Sequence, residues 1–224
     1  VRRRCAVHAE DEPRLKERRH LAQDAADPSA HPLWRDPETA LRATRRLIAI
    51  ARETGARVHV LHISTSEEMR FLAAHKDIAS VEVTPQHLGR AAPACYAELG
   101  TRAQMNPPIR DEAHRQGLWR GLDQGVVDVI GSDHAPHTLA EKAETYPASP
   151  AGMPGVQTVL PVMLDHVAAG RLSLMRLMDL LCAGPARLFG IAGKGRIAVG
   201  NDGDFTLVDL AAKRRILDQD MANR

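Results

Sequence analysis

Residues 126–137 read VVDVIGSDHAPH, and this stretch decides the fold. Its first half is a short run of β-branched apolar residues, which predicts a buried strand. Asp133 follows directly, and a carboxylate at the mouth of such a strand is costly unless it is paired, hydrogen-bonded or bound to a metal. Barrel enzymes assemble their sites at this end of their strands. The stretch therefore predicts a strand that carries a functional site at its carboxyl end.

The same arrangement recurs three times upstream. Short apolar runs at 5–8, 57–63 and 79–84 predict strands, with helical patterns between them, so a mainly parallel sheet is expected. A doubly wound sheet and a (β/α)₈ barrel both have this alternation, but no Gly-x-Gly-x-x-Gly follows any strand. The strand ends carry most of the candidate chemistry: His8, His62, Glu82 with Gln86 and His87, and Asp133. We therefore predict an α/β fold that forms a partial (β/α)₈ TIM-type barrel, because four units are half a barrel.

Capping residues mark where the helices begin and end. Asp36 is expected to cap a helix with proline at its first position, and Gly55 is expected to end that helix. Thr65 or Ser66 is expected to cap the next helix. Further helices are predicted over 111–123, 156–169 and 173–182.

Three segments have other patterns. Residues 13–35 are polar with no clean period, and 138–155 are expected to form a long loop. Residues 195–210 predict two short strands about an Asn-Asp-Gly turn, a short C-terminal β segment. We therefore expect the barrel part to cover residues 1–192, and residues 193–224 to be the start of a small β domain and a tail.

Composition limits the possible classes of protein. The chain has 224 residues, 44% hydrophobic residues and a formal net charge of +2, which argues against a nucleic-acid binder. No apolar run approaches the roughly 18–20 residues that a membrane span needs. Three cysteines without Cys-x-x-Cys spacing fit a reducing compartment, so a cytoplasmic location is expected.

His8, His62 and Asp133 are the candidate metal ligands. They end three separate strands, and two imidazoles with a carboxylate suit zinc or a similar divalent metal. His62 is preferred to His59 because it lies nearer the carboxyl end of its strand. A structural role stays open for each residue, since a histidine at a strand end is often only hydrogen-bonded, and an aspartate there often forms a turn or a helix cap.

Two loops could contact a substrate. Asn106, in Asn-Pro-Pro, offers both a donor and an acceptor to an amide or imide ring, although a simple turn explains the same residues. Residues 151–155 could bring backbone amides against a ligand, although a surface loop is an equal alternative.

In this order, these features resemble the dihydroorotase family of cyclic amidohydrolases over about residues 5–209. Five motifs carry the resemblance: HAED at 8–11, LHIST at 61–65, EVTPQH at 82–87, NPP at 106–108 and SDHAPHT at 132–138. The resemblance implies a (β/α)₈ barrel of the metal-dependent hydrolase kind, with a two-metal centre, usually Zn²⁺, and a small β domain.

The resemblance implies a role for each candidate residue. His8 and His62 would hold the second metal, while Asp133 would hold the first and act as general acid and base. Substrate contacts would come from Asn106, His137 and the backbone at Ala151 and Gly152. The reaction would be the reversible opening of dihydroorotate to carbamoyl aspartate in pyrimidine biosynthesis. A homo-oligomer, or an association with aspartate transcarbamoylase, would be the expected assembly.

Some family features are absent. The His-x-His motif with its substrate-binding arginine, and the bridging lysine or aspartate, are not in this sequence, and Gln86 stands where many relatives have histidine. We therefore interpret the chain as the C-terminal part of an amidohydrolase, inactive by itself. The alternatives are an allantoinase or other cyclic-amide hydrolase, and a non-catalytic dihydroorotase-like scaffold subunit.

Overall fold

A four-stranded parallel sheet forms the centre of the computed structural model, which describes residues 4–222. The strands are β1 (Cys5–Val7), β2 (Val58–Val60), β3 (Ala79–Val83) and β4 (Val129–Ile130). They lie in chain order, with Val7 opposite Val60 and Val83 opposite Ile130. A doubly wound sheet reverses its strand order at a switch point, and this sheet does not. The prediction of a partial (β/α)₈ barrel is therefore confirmed.

Helices connect the strands and cover the sheet. They are α1 (Glu12–Glu17), α2 (His20–Gln23), α3 (His31–Trp34), α4 (Pro37–Thr54), α5 (Ser66–Ala73), α6 (Pro85–Gly89), α7 (Ala94–Leu99), α8 (Glu112–Asp123), α9 (Leu139–Lys142), α10 (Val159–Ala168), α11 (Leu174–Met178) and α12 (Gly184–Phe189). A π-helical turn, Asp179–Ala183, joins α11 to α12. Shorter 3₁₀ turns lie at Pro28–Ala30, Gly100–Ala103 and Asp218–Asp220.

The predicted helix caps are present. The Asp36 side chain accepts from the Thr39 amide at the start of α4, and Gly55 ends that helix with a φ of 66°. Thr65, the first of the two candidates, accepts from the Glu68 amide at the start of α5. The Asp36 and Thr65 side chains thus accept hydrogen bonds from backbone amides that have no partner within the helix.

The main core lies between the sheet and the helices that cover it. Val60, Val81 and Val83 are fully buried on the sheet, and Leu72 of α5 and Met163 of α10 pack in the same cluster. Valine suits both faces of a buried parallel strand. This core holds the four strand ends in fixed relative positions.

Two segments contain helices that the sequence patterns miss. Residues 13–35 hold α1, α2 and α3, which are only four to six residues long, too short to display a 3.6-residue period. Helix α9 lies within the loop predicted over 138–155. It begins with a capping box in which Thr138 and Glu141 exchange hydrogen bonds.

The two strands predicted between Gly195 and Leu210 are not formed. Within residues 4–222, this segment has no regular structure, and Ile197, Val199 and Leu207 are exposed. A strand needs a neighbour to pair with its backbone, and within residues 4–222 no strand pairs with this segment. The division at residue 193 stays a prediction.

None of the helices in the described range is both long and apolar enough to cross a membrane.

Two of the buried histidines, His31 and His87, are neutral at pH 7. Burial lowers the pKa of His31 to about 4 and the pKa of His87 to about 3. The His87 ring contacts the Thr84 hydroxyl at 2.8 Å and the Pro107 carbonyl oxygen at 3.0 Å. Since a carbonyl oxygen can only accept, the His87 Nε2 carries the proton.

These two histidines predict a loss of stability in acid. Below about pH 6.5 the unfolded chain binds protons that the folded chain excludes, so the free energy of unfolding should fall as the pH falls. The expected slope is about 1.4 kcal/mol per pH unit for each histidine, down to the folded-state pKa. Urea unfolding between about pH 7 and about pH 5 with EDTA present measures this slope. His87→Gln should lower the slope and His20→Asn, at an exposed position, should not. A flat profile in this range would contradict the assignment.

A close approach between α5 and α8 predicts a second stability effect. A Cβ at Gly117 would lie 2.3 Å from the Ser66 Cβ, whereas a Cβ at Gly89 would meet nothing within 4 Å. Gly117→Ala should therefore lower the free energy of unfolding by roughly 1–3 kcal/mol, despite the better helix propensity of alanine. The matched variant Gly89→Ala should be neutral or slightly stabilising. Equal denaturation midpoints for the two variants would count against this packing.

Candidate active site

The carboxyl ends of β1 and β2 bring His8 and His62 into contact. His8 Nδ1 lies 3.1 Å from His62 Nε2, with the ring centroids 4.8 Å apart in a T-shaped arrangement. Each histidine follows its strand at the same edge of the parallel sheet. The structure thus brings these two residues together at the strand ends.

Glu10 and Arg35 fix the ring of His8. His8 Nε2 lies 3.0 Å from Glu10 Oε2, and the Arg35 guanidinium pairs with the same carboxylate at 2.5 Å. Burial alone would raise the pKa of Glu10, but hydrogen bonds from His8 and Arg35 outweigh it and lower the pKa to about 2. Glu10 is therefore a buried anion that orients an imidazole, as carboxylates do behind metal-binding histidines.

Glu82 holds His62 from the neighbouring strand. The His62 backbone N–H donates to Glu82 Oε1 at 3.2 Å, and Glu82 Oε2 lies 3.3 Å from His59 Nε2. His59 is fully buried and its other ring nitrogen contacts Ser80. His59 is thus part of the strand packing, while His62 faces His8. A Cβ at Gly131, on the next strand end, would lie 2.4 Å from the Glu82 carboxyl carbon.

Asp133 lies near His62 without a direct hydrogen bond to either histidine. Burial lowers the pKa of His62, and among the charges that act on it the largest is that of Asp133, which raises the pKa. Both residues have positive φ values, 36° for His62 and 44° for Asp133. Such backbone is strained for residues other than glycine and is common at functional sites.

The donors present fit a divalent metal. The His62 Nδ1 is buried and has no hydrogen-bond partner, and its Nε2 faces another imidazole nitrogen. Two imidazoles with a nearby carboxylate form a donor set that zinc accepts. Within residues 4–222, however, no three His, Cys, Asp or Glu side chains are already arranged to hold an ion.

The four predicted substrate contacts lie on three adjoining segments. The Gly152 N–H donates to the Gln104 carbonyl at 2.9 Å, two residues before Asn106. A Cβ at Gly152 would lie 2.9 Å from His137 Nε2, so His137 packs directly against Ala151-Gly152. The structure thus brings these loops together.

Gln86, which stands where many relatives have histidine, contacts the strand end that carries Asp133. Its side-chain amide donates to the Ser132 carbonyl oxygen at 3.1 Å.

Asn106 has a partner that the sequence does not indicate. His31 Nε2 lies 3.1 Å from the Met105 carbonyl oxygen and 3.0 Å from Asn106 Oδ1. Because both atoms are acceptors, His31 donates and the Asn106 carbonyl accepts, which leaves the Asn106 NH₂ group for a ligand. Glu10 and Arg35 are equally absent from the sequence prediction, although Glu10 lies within the HAED motif.

The chain is similar to curated dihydroorotases along most of its length. The chain is 40% identical over 215 residues to the dihydroorotase of Halobacterium salinarum and 35% identical over 210 residues to that of Methanothermobacter thermautotrophicus. These matches cover 96% and 94% of the chain, but only 50% and 48% of the relatives. The chain thus spans about half the length of the curated relatives it matches, and the predicted resemblance to dihydroorotases is confirmed.

Among solved structures, the L-hydantoinase of Arthrobacter aurescens superposes with a TM-score of 0.81 at 31% identity. The D-hydantoinase of a Thermus species gives the same score at 28% identity. Each superposition covers 89% of this chain and 46% of the other. Residues 6–223 match the amidohydrolase family model along nearly the whole sequence. The chain belongs to the amidohydrolase family.

Proposed function

We propose that this chain supplies half of the active site of a hydrolase that opens dihydroorotate reversibly to carbamoyl aspartate. The contact between His8 and His62 at two strand ends, with Asp133 on a third, is the observation that carries this proposal. The curated relatives named dihydroorotase support the choice of substrate, because their identity to the chain exceeds that of the hydantoinases.

His8 and His62 would hold one divalent metal of a two-metal site and Asp133 the other, and Zn²⁺ suits their donor atoms. Such a metal, when bound, polarises the carbonyl under attack and makes a water molecule acidic at neutral pH. Glu10 keeps the His8 ring in place, and Glu82 holds the His62 backbone. These contacts would keep both histidines in place while the site closes around its metal.

Asp133 would move the proton. It takes a proton from the attacking water as the oxygen bonds to the amide carbonyl carbon. It then delivers that proton to the ring nitrogen as the carbon–nitrogen bond breaks, and the new carboxylic acid releases the second water proton to solvent. The reverse reaction uses the same residue in the opposite order, because the forward and reverse steps share one transition state.

Asn106, His137 and the backbone of Ala151 and Gly152 would hold the ring of the substrate. The Asn106 amide donates, since its oxygen is already bonded to His31. Glycine at position 152 lets the loop pack closely, because a Cβ there would lie 2.5 Å from the Ala135 carbonyl oxygen. Oriented donors of this kind bind a cyclic amide in one pose.

We infer that the complete protein is a cytoplasmic enzyme that forms a homo-oligomer or associates with aspartate transcarbamoylase. Allantoinase is the closest alternative activity, and a non-catalytic scaffold subunit is the alternative of another class.

A pair of fusions tests the substrate. We expect the chain joined behind the N-terminal half of the Halobacterium salinarum dihydroorotase to hydrolyse dihydroorotate, and Asp133→Asn in that fusion to lower kcat at least about 100-fold. A second fusion carries the matching half of the Arthrobacter aurescens L-hydantoinase. Dihydroorotate, allantoin and hydantoin are assayed with both. Turnover of hydantoin or allantoin alone, or no turnover by a folded first fusion, would refute the proposal.

Metal content tests the ligands separately. His62→Asn in the first fusion should lower the affinity for zinc at least about tenfold, because one imidazole ligand is lost. His20→Asn is the control, since His20 is exposed and contacts only the backbone oxygen of Glu17. Zinc retained after dialysis against a chelator is measured by atomic absorption. Equal retention in the two variants would exclude His62 as a ligand.

A further inference from the structure

Lys142, the last residue of α9, has its ammonium group inside the protein. The residue is 6% exposed, and its Nζ lies 2.8 Å from the Pro150 carbonyl oxygen, 3.2 Å from that of Gly152 and 3.3 Å from that of Gln104. Three backbone oxygens thus accept the three N–H bonds of one ammonium group.

No carboxylate explains this burial. Within the described residues, Lys142 forms no ion pair with an acidic side chain, and desolvation alone lowers its pKa to about 8. Burying a lysine costs free energy, because the side chain loses rotamer freedom and hydration. The hydrogen bonds that the ammonium group forms must offset this cost. Here it holds backbone from two separate loops.

The three carbonyls belong to the segments that carry the proposed substrate contacts. Pro150 and Gly152 flank Ala151, and Gln104 lies two residues before Asn106. The Gly152 N–H donates to the same Gln104 carbonyl at 2.9 Å. Lys142 therefore joins the Ala151-Gly152 loop to the Asn106 loop, and His137 also packs against Gly152.

We propose that Lys142 is a positioning residue, whose ammonium group clamps the Ala151-Gly152 backbone against residue 104 so that these loops bind the substrate ring in one pose. The inference deepens the proposed function and rests on it. We expect the clamp to act on binding in the ground state and in the transition state alike, because the hydrogen bonds of the Lys142 ammonium group go to loop carbonyls.

A kinetic experiment tests the clamp in the active fusion. Lys142→Met keeps the length of the side chain and removes the donors, so the KM for dihydroorotate should rise roughly tenfold or more while kcat changes less than about threefold. Lys142→Gln keeps a shorter donor and should give an intermediate KM. Lys16→Met is the matched control, because Lys16 is exposed and pairs only with Glu12. An unchanged KM, or loss of the fold in both Lys142 variants, would overturn the proposal.

Hydrogen exchange tests the clamp without any activity. In the 224-residue chain, the Gly152 amide should exchange at least about tenfold faster in Lys142→Met than in the unmodified chain or in Lys16→Met, with Leu72 of α5 unchanged. Equal exchange at Gly152 would refute the clamp. If the Gly152 amide exchanges faster in Lys142→Met but no fusion hydrolyses dihydroorotate, the proposed function fails. The clamp then stands only as a feature of the loop structure.

Discussion

The contact between His8 and His62 depends on the parallel pairing of two strands that are more than 50 residues apart in the chain. Val7 lies opposite Val60, so the residues that follow each strand emerge at the same edge of the sheet. A shift of one residue in this register would turn the side chains of the shifted strand to the other face. The valine-rich core that fixes the register therefore also fixes the separation of the two imidazoles.

The surroundings of this pair are charged in a way that suits a cation. Glu10 is a buried anion on one side of His8, and Glu82 and Asp133 both act on His62. Of these three carboxylates, only Glu10 forms an ion pair with an arginine of the described residues, Arg35. The negative charge of the other two carboxylates is thus left to act on the histidines.

Much of the fold follows from local signals that the sequence displays. Strand runs, and caps such as Asp36 and Thr65, involve residues that are close in the chain, and their structure matches the prediction. The candidate ligands also come from a local signal, the polar residue after an apolar strand. The partners of these residues cannot be derived in this way. Arg35 reaches Glu10 and His31 reaches Asn106 only after the chain has folded, across 25 and 75 residues.

The same reason explains where the prediction fails. Lys142 looks like an ordinary surface lysine in the sequence, since its three acceptors are backbone atoms, which leave no trace in residue types. Conversely, the segment 195–210 has the composition of strands, but composition does not supply a neighbour for them. A sequence pattern indicates that a segment could form a strand, and the folded arrangement of the chain decides whether another strand is there to pair with it.

Gly131 illustrates how far the requirements of such a site extend. It ligates nothing and its φ is unremarkable, yet the space above its Cα is filled by the carboxyl group of Glu82. Any larger residue there would push Glu82 away from the backbone of His62. Glycine at position 131 thus matters for the placement of the Glu82 carboxylate, and through it for the hydrogen bond that holds the His62 backbone.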